Sequence, residues 1–151
     1  MRDYPYFFGT LVAAGFVVFM AVQAVPYGHD HTNPPVVLEP AWDSAQTRVL
    51  ARRACFDCHS NETAWPVYAD IAPLSWVVQR DVTAGRAALN FSEWHRPQGD
   101  AHEAAEAVLE KEMPMRVYTL MHAHARLSGA ERQVLAAGLT RTLGADMDFH
   151  D

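Results

Sequence analysis

The chain has 151 residues, 50% hydrophobic and 20% charged, with a formal net charge of −6 and two cysteines. With 11% aromatic residues this composition builds a core, which excludes a disordered or collagen-like chain, and the length allows one domain or a smaller domain with an anchor. Net acidity argues against a nucleic-acid partner, and two cysteines exclude a disulfide-rich scaffold, leaving one bridge, a redox pair or a covalent attachment site.

In chain order, the first element is apolar. Tyr6 to Val25 reads YFFGTLVAAGFVVFMAVQAV, 20 residues without a charge and with one strongly polar side chain, Gln23. About 20 helical residues at 1.5 Å each span the ~30 Å hydrocarbon core, so residues 1–25 are expected to be an N-terminal transmembrane helix. Arg2 stands before it and no Lys or Arg follows until Arg48, an asymmetry that places the N-terminus in the cytoplasm and the rest outside. The competing reading is a cleaved signal peptide, with Val22-Gln23-Ala24 as the small-residue site. Either reading exports the remainder.

Residues 26–42 read as a Pro-rich linker, because Pro26, Pro34, Pro35 and Pro40 remove backbone donors and fix φ. His29 and His31 in that segment are expected to be solvated. Residues 43–151 form the folded domain, and its periodicity is helical throughout. In 43–58, Asp43 and Gln46 make a capping-box-like pair, with Val49, Leu50 and Ala54 behind it. Residues 74–89 carry Leu74, Val77, Val78, Val82 and Leu89 at helical spacing, and Asp100 is placed to cap the Ala/Glu-rich run 101–112. Ser128 and Glu131 form a capping box, Leu135, Leu139 and Leu143 line one face, and Gly144 occupies a C′ position. No stretch alternates with period two, so the fold class is all-α.

The chemistry begins at Cys55-Phe56-Asp57-Cys58-His59, a C-x-x-C-H sequence. On a helical turn, residues three and four apart share a face, so two thiols reach the two vinyl groups of one porphyrin and the following histidine sits under the iron as proximal ligand. A redox C-x-x-C belongs in a βαβ context, which is absent, and a zinc site needs a second ligand pair at suitable spacing. A plain disulfide leaves the adjacent histidine unexplained. The expected cofactor is therefore one covalent haem c.

A sixth iron ligand would come from Met113, Met115, Met121, His122 or His124. Met113 ranks first and Met115 second, because Glu112-Met113-Pro114-Met115 lies in a gap between helices where proline stiffens the loop. His/Met ligation closes the coordination sphere and suits outer-sphere electron transfer. Trp65, Tyr68, Trp76, Phe91 and Trp94 are candidates to pack on the porphyrin, and Trp76, Arg80, Arg86 and Tyr118 to donate to its propionates. Asp57 is expected to be exposed.

The segments CFDCHSNETAWPVYADIAPLSW, DVTAGRAALNFSEW and EMPMRVYTLMHAHARLSGAE, between about Ala54 and Leu139, resemble the bacterial haem-binding domain family of small membrane-anchored or exported monohaem c-type proteins. The resemblance implies attachment through Cys55, Cys58 and His59 and places the family's Met-Pro pair on Met113-Pro114. The chain departs from the family at Ala123, where His-Pro is usual, and at Val67, where a second tryptophan is usual. Met-Pro before a final helix is also similar to small class I cytochromes c, so the expected architecture is a small cytochrome-c-like helical domain around one haem. The function expected is an electron carrier rather than an enzyme. It would sit on the periplasmic side of the bacterial cytoplasmic membrane, passing electrons to redox partner proteins or serving as a subunit of a respiratory or photosynthetic complex. Excess carboxylates favour a basic partner surface. The alternative is a haem sensor or peroxidase-like protein with an open or labile sixth site, in which His122 and His124 carry protons.

Overall fold

A computed structural model describes residues 4–147, with side chains from 7 to 144. Among the described residues seven α-helices follow one another: α1 Tyr4–Gln23, α2 Ala45–Ala54, α3 Phe56–His59, α4 Leu74–Ala88, α5 Ala104–Leu109, α6 Arg116–Met121 and α7 Gly129–Met147. Single 3₁₀ turns occur at Val67–Asp70, Ala101–Glu103 and Ala123–Ala125. Among the described residues there is no strand, only an isolated parallel bridge between Leu38 and Glu93. The all-α expectation holds.

The chain divides into two compact units, residues 1–32 with 65–81, and residues 33–64 with 82–151. In the first, α1 exposes large apolar side chains on all sides, Phe7, Val12, Phe16 and Val18 among them. Among the described residues no helix is long and apolar enough to cross a membrane. Gln23 ends the helix usefully: its amide donates to Ala72 O at 2.9 Å and accepts from Ala72 N at 3.0 Å. Gly28, at φ +90°, approaches the Ser75 backbone more closely than any Cβ permits. His31 is not solvated as expected. It stacks on Trp65 at 4.6 Å and donates from Nε2 to Ala69 O at 3.1 Å.

The second unit holds the core. Leu50, Ala51, Phe56, Leu89, Phe91, Val108, Leu135, Leu139 and Leu143 are buried together, with Trp42, Trp94 and Met113 packed against them. The long helix α7 lies against α2 and α5, so Leu135, Leu139 and Leu143 form its inner face as their spacing requires. Gly138 faces α2 closely enough that a Cβ would collide with the Thr47 side chain. Rings continue the core: Phe91 lies 5.1 Å from Trp42, 5.6 Å from Phe56 and 6.3 Å from Trp94.

Several expected details move. The cap of α2 is Ser44, whose Oγ accepts from Thr47 N at 3.1 Å, while Asp43 instead pairs with Arg141 at 2.8 Å. Val49 is exposed, as are Leu74 and Val77. The Asp100 side chain makes no capping hydrogen bond, and the run 101–112 is a 3₁₀ turn followed directly by the short α5, which ends at Leu109, two residues before Lys111 at φ 66°. Gly144 lies inside α7 rather than beyond its end. The Ser128–Glu131 capping box is present: Ser128 N donates to Glu131 Oε2 at 2.8 Å and Glu131 N to Ser128 Oγ at 3.2 Å. The Pro-rich segment carries no helix, as expected, but is held rather than free. Val37 and Leu38 donate to Ser92 O at 2.9 and 3.1 Å, and Trp94 N donates to Leu38 O at 2.9 Å.

Candidate functional site

Cys55 is the joint between α2 and α3. Its φ of −124° departs from the helix, its N–H still donates to Ala51 O at 2.8 Å, and its own carbonyl accepts from Cys58 N at 3.2 Å and His59 N at 2.9 Å. Cys55, Cys58 and His59 therefore share one turn, which is what the spacing predicts. Neither thiol is in a disulfide. Burial, with the neighbouring Cys58 adding to it, pushes the Cys55 thiol up to about 12. A redox-active C-x-x-C needs a lowered thiol pKa, so this environment opposes that use.

His59 is fixed from its second nitrogen. Nδ1 donates to Leu89 O at 3.1 Å, which assigns its proton to Nδ1 and leaves Nε2 with a lone pair. Burial lowers its pKa, against an opposing pull from the Leu89 and Gly85 carbonyls. The ring is thus neutral at neutral pH, the form in which imidazole binds a metal. The backbone clamps this turn from two further sides. Phe91 N donates to His59 O at 2.8 Å, and Gly85 of α4 packs so closely on the Cys58 carbonyl that a side chain there has no room.

A partly open cleft of about 210 Å³ lies beside this turn, within the second unit. Its walls bring together Cys55, His59 and Met113 with the apolar surfaces of Leu89, Phe91, Ala104, Val108 and Leu139. Met113, joined to Pro114 by a cis peptide, is held by its N–H donating to Ala107 O at 3.0 Å and its carbonyl accepting from Arg132 at 3.0 Å. Cys58, Met115, Met121, His122 and His124 are not among the lining residues. His122 stacks on Tyr118 at 4.2 Å and meets His124 edge-on at 5.7 Å.

A family profile, the haem-binding domain, matches residues 17–141. The chain belongs to the haem-binding domain family. No curated protein and no solved structure matches it. The donor set of this haem-binding domain fits the cofactor: a neutral imidazole with a directed lone pair, a thioether and a thiol meet on one apolar cleft.

The candidate propionate donors fall elsewhere. Arg86 serves the fold, donating to Ser60 O at 2.8 Å, Thr63 Oγ1 at 3.0 Å and Asn33 Oδ1 at 2.9 Å. Arg80 pairs with Asp81 at 2.7 Å, and Trp76 Nε1 is buried without a partner among the described residues; both belong to the first unit. Tyr118 donates its hydroxyl to Asp57. Asp57 is therefore half-buried rather than exposed: its other oxygen accepts from Ala64 N at 3.1 Å. The candidate aromatics divide as well, with Phe91 and Trp94 in the haem-side core and Trp65, Tyr68 and Trp76 in the first unit. No Lys or Arg lines the cleft, whereas Asp100, Glu103 and Glu112 do. Sequence reading missed Gly85 and these three carboxylates. The glycine lay inside a helical pattern flanked by no turn signal, Asp100 read as a helix cap, and Glu103 and Glu112 as part of an Ala/Glu-rich helical run.

Proposed function

We propose that this haem-binding domain is a monohaem c-type electron carrier, tethered by its N-terminal helix on the periplasmic side of a bacterial cytoplasmic membrane. The observation that carries the reading is the meeting of Cys55, His59 and Met113 on one apolar cleft. Cys55 and Cys58 would hold the haem by thioether bonds, and His59 through Nε2 and Met113 through its sulfur would ligate the iron. Bound there, haem supplies a reversible one-electron couple. The chain's own part is to hold and tune it. Leu89 O fixes the His59 tautomer and strengthens its donor nitrogen. Phe91, Val108 and Leu139 exclude water from the cleft. The cleft is partly open, at about 210 Å³, so a group held there would not be wholly enclosed by the chain. Asp100, Glu103 and Glu112 at that cleft favour a redox partner with a basic surface.

The sensor or peroxidase-like alternative requires a free distal position with an acid–base group beside it. His122 and His124 are not among the cleft-lining residues, which favours the carrier. The test is intact mass followed by absorption spectroscopy of the oxidised protein. Covalent haem on the parent chain, and a methionine-to-iron band near the red end that disappears in Met113→Ala, support the proposal. A parent chain with a high-spin, open-site spectrum, or one carrying no covalent haem, overturns it.

A further inference from the structure

On the far side of the Met113–Pro114 loop lies a second and larger cleft, of about 620 Å³, lined by Pro114 where Met113 lines the first. Its charge is the reverse of the molecule's. Lys111, Arg116, Arg126 and Arg132 stand on its walls against one carboxylate, Glu110, in a chain of net charge −6.

Elsewhere the described arginines are neutralised internally. Arg48, Arg52, Arg53, Arg80, Arg96 and Arg141 each hold a carboxylate within 3.0 Å. Arg86 takes the neutral acceptors Ser60 O, Thr63 Oγ1 and Asn33 Oδ1. Lys111, Arg116, Arg126 and Arg132, which share this cleft, take part in none of the ion pairs among the described residues. Two of them are also fixed in place. Arg132 Nη1 donates to the carbonyls of Val108 and Met113, and Arg126 Nε donates to Thr119 O at 2.9 Å. A guanidinium has five N–H donors, so each keeps most of its fork for another acceptor while its position is set by main chain.

We propose that this cleft binds a small, multiply charged oxyanion, a compound bearing phosphate or several carboxylates. Guanidinium forks match such oxygens two at a time, and pinned forks lose little freedom on binding. The volume suits a small molecule, falling within the ~300–1,000 Å³ of ordinary ligand sites. Pro114 and Leu127 supply a short apolar wall and Thr119 a hydroxyl. An acidic protein surface would meet the same charges but not use the concavity.

The test is calorimetric titration of the full chain in detergent with pyrophosphate. One saturable site per chain is expected, with affinity falling as salt rises and at least tenfold weaker in the Arg116→Gln/Arg126→Gln double variant. Because Arg126 also supports Thr119, Arg116→Gln alone is measured beside it and is expected to weaken binding severalfold. No saturable heat at millimolar pyrophosphate, or unchanged binding in Arg116→Gln, overturns the proposal. So does binding of soluble short-chain phosphatidic acid with none of pyrophosphate, which would assign the cleft to a lipid headgroup. The readout involves no haem, so its outcome is independent of the electron-carrier proposal.

Discussion

At the scale of single residues, the C-x-x-C-H turn is held by backbone rather than by side chains. The Cys55 carbonyl takes two N–H groups, Phe91 N ties down the His59 carbonyl, and Leu89 O fixes the imidazole. Gly85 completes the clamp by absence, since a Cβ there would sit 2.4 Å from the Cys58 carbonyl oxygen, far inside van der Waals contact. The main chain, unlike the end of a long side chain, cannot step aside. Gly85→Ala is therefore expected to destabilise the second unit by about 1–3 kcal/mol, the usual range for overpacking, although alanine favours a helix. The same shift moves Cys58 and His59, so covalent haem per chain should fall with it. Thermal unfolding and the ratio of haem absorbance to protein check both. A variant as stable and as fully loaded as the parent would show that the turn relaxes freely.

Among the elements, α7 is the one on which the second unit is built, and its inner face was readable in advance from Leu135, Leu139 and Leu143 at helical spacing. Leu135 is fully buried and is not among the cleft-lining residues, so Leu135→Ala should cost about 2–5 kcal/mol with the haem spectrum unchanged. The start of α7 is legible too, because Ser128 and Glu131 carry a capping box in the sequence itself. What the sequence lacks is the third participant: Arg53 of α2 reaches Glu131 at 2.7 Å. The Ser128 N–H, Arg53 and the Ser128 hydroxyl together pull the Glu131 carboxyl down from 4.5 to about 2. A depressed carboxylate contributes stability that is full above its unfolded pKa and is lost as pH falls through its folded one. The window is therefore pH 4.5 down to about 2. The unfolding midpoint of Glu131→Gln should lie below the parent's by a constant amount above pH 5, and the two should converge towards pH 2. The remaining elements were legible in proportion to how local their causes are. The C-x-x-C-H turn and the Met-Pro loop declare themselves by spacing. The end of α5 at Leu109, the added helix α6 and the exposure of Val49, Leu74 and Val77 depend on tertiary neighbours that no periodicity encodes. The surroundings of the propionate candidates depend on distant partners in the same way: Arg86 is drawn to Ser60, Thr63 and Asn33, far from it in sequence.

For the whole molecule, a net charge of −6 conceals a separation within the second unit, with carboxylates on the cleft beside the C-x-x-C-H turn and cations on its neighbour across one proline. The hydrophobic average conceals more. The second unit buries its leucines, while α1 exposes Phe7, Phe8, Leu11, Val12, Phe16 and Val17 together, a patch far beyond what a soluble surface carries. A face of this kind calls for an apolar cover, and under the proposed anchoring that cover is a bilayer or the apolar helices of other membrane subunits. Under the anchor proposal the full-length protein stays in the pellet through alkaline carbonate extraction, and its intact mass retains residues 1–25. Each aspartate placed at the centre of a spanning helix costs about 2.5–3.5 kcal/mol. Val12→Asp with Phe16→Asp, both on exposed positions, should therefore move the protein into the supernatant. Release of the parent chain by carbonate would overturn the anchor, and loss of the N-terminal mass would assign those residues to a cleaved signal. Retention of the double-aspartate variant would instead place α1 against protein, where polar partners offset the charge.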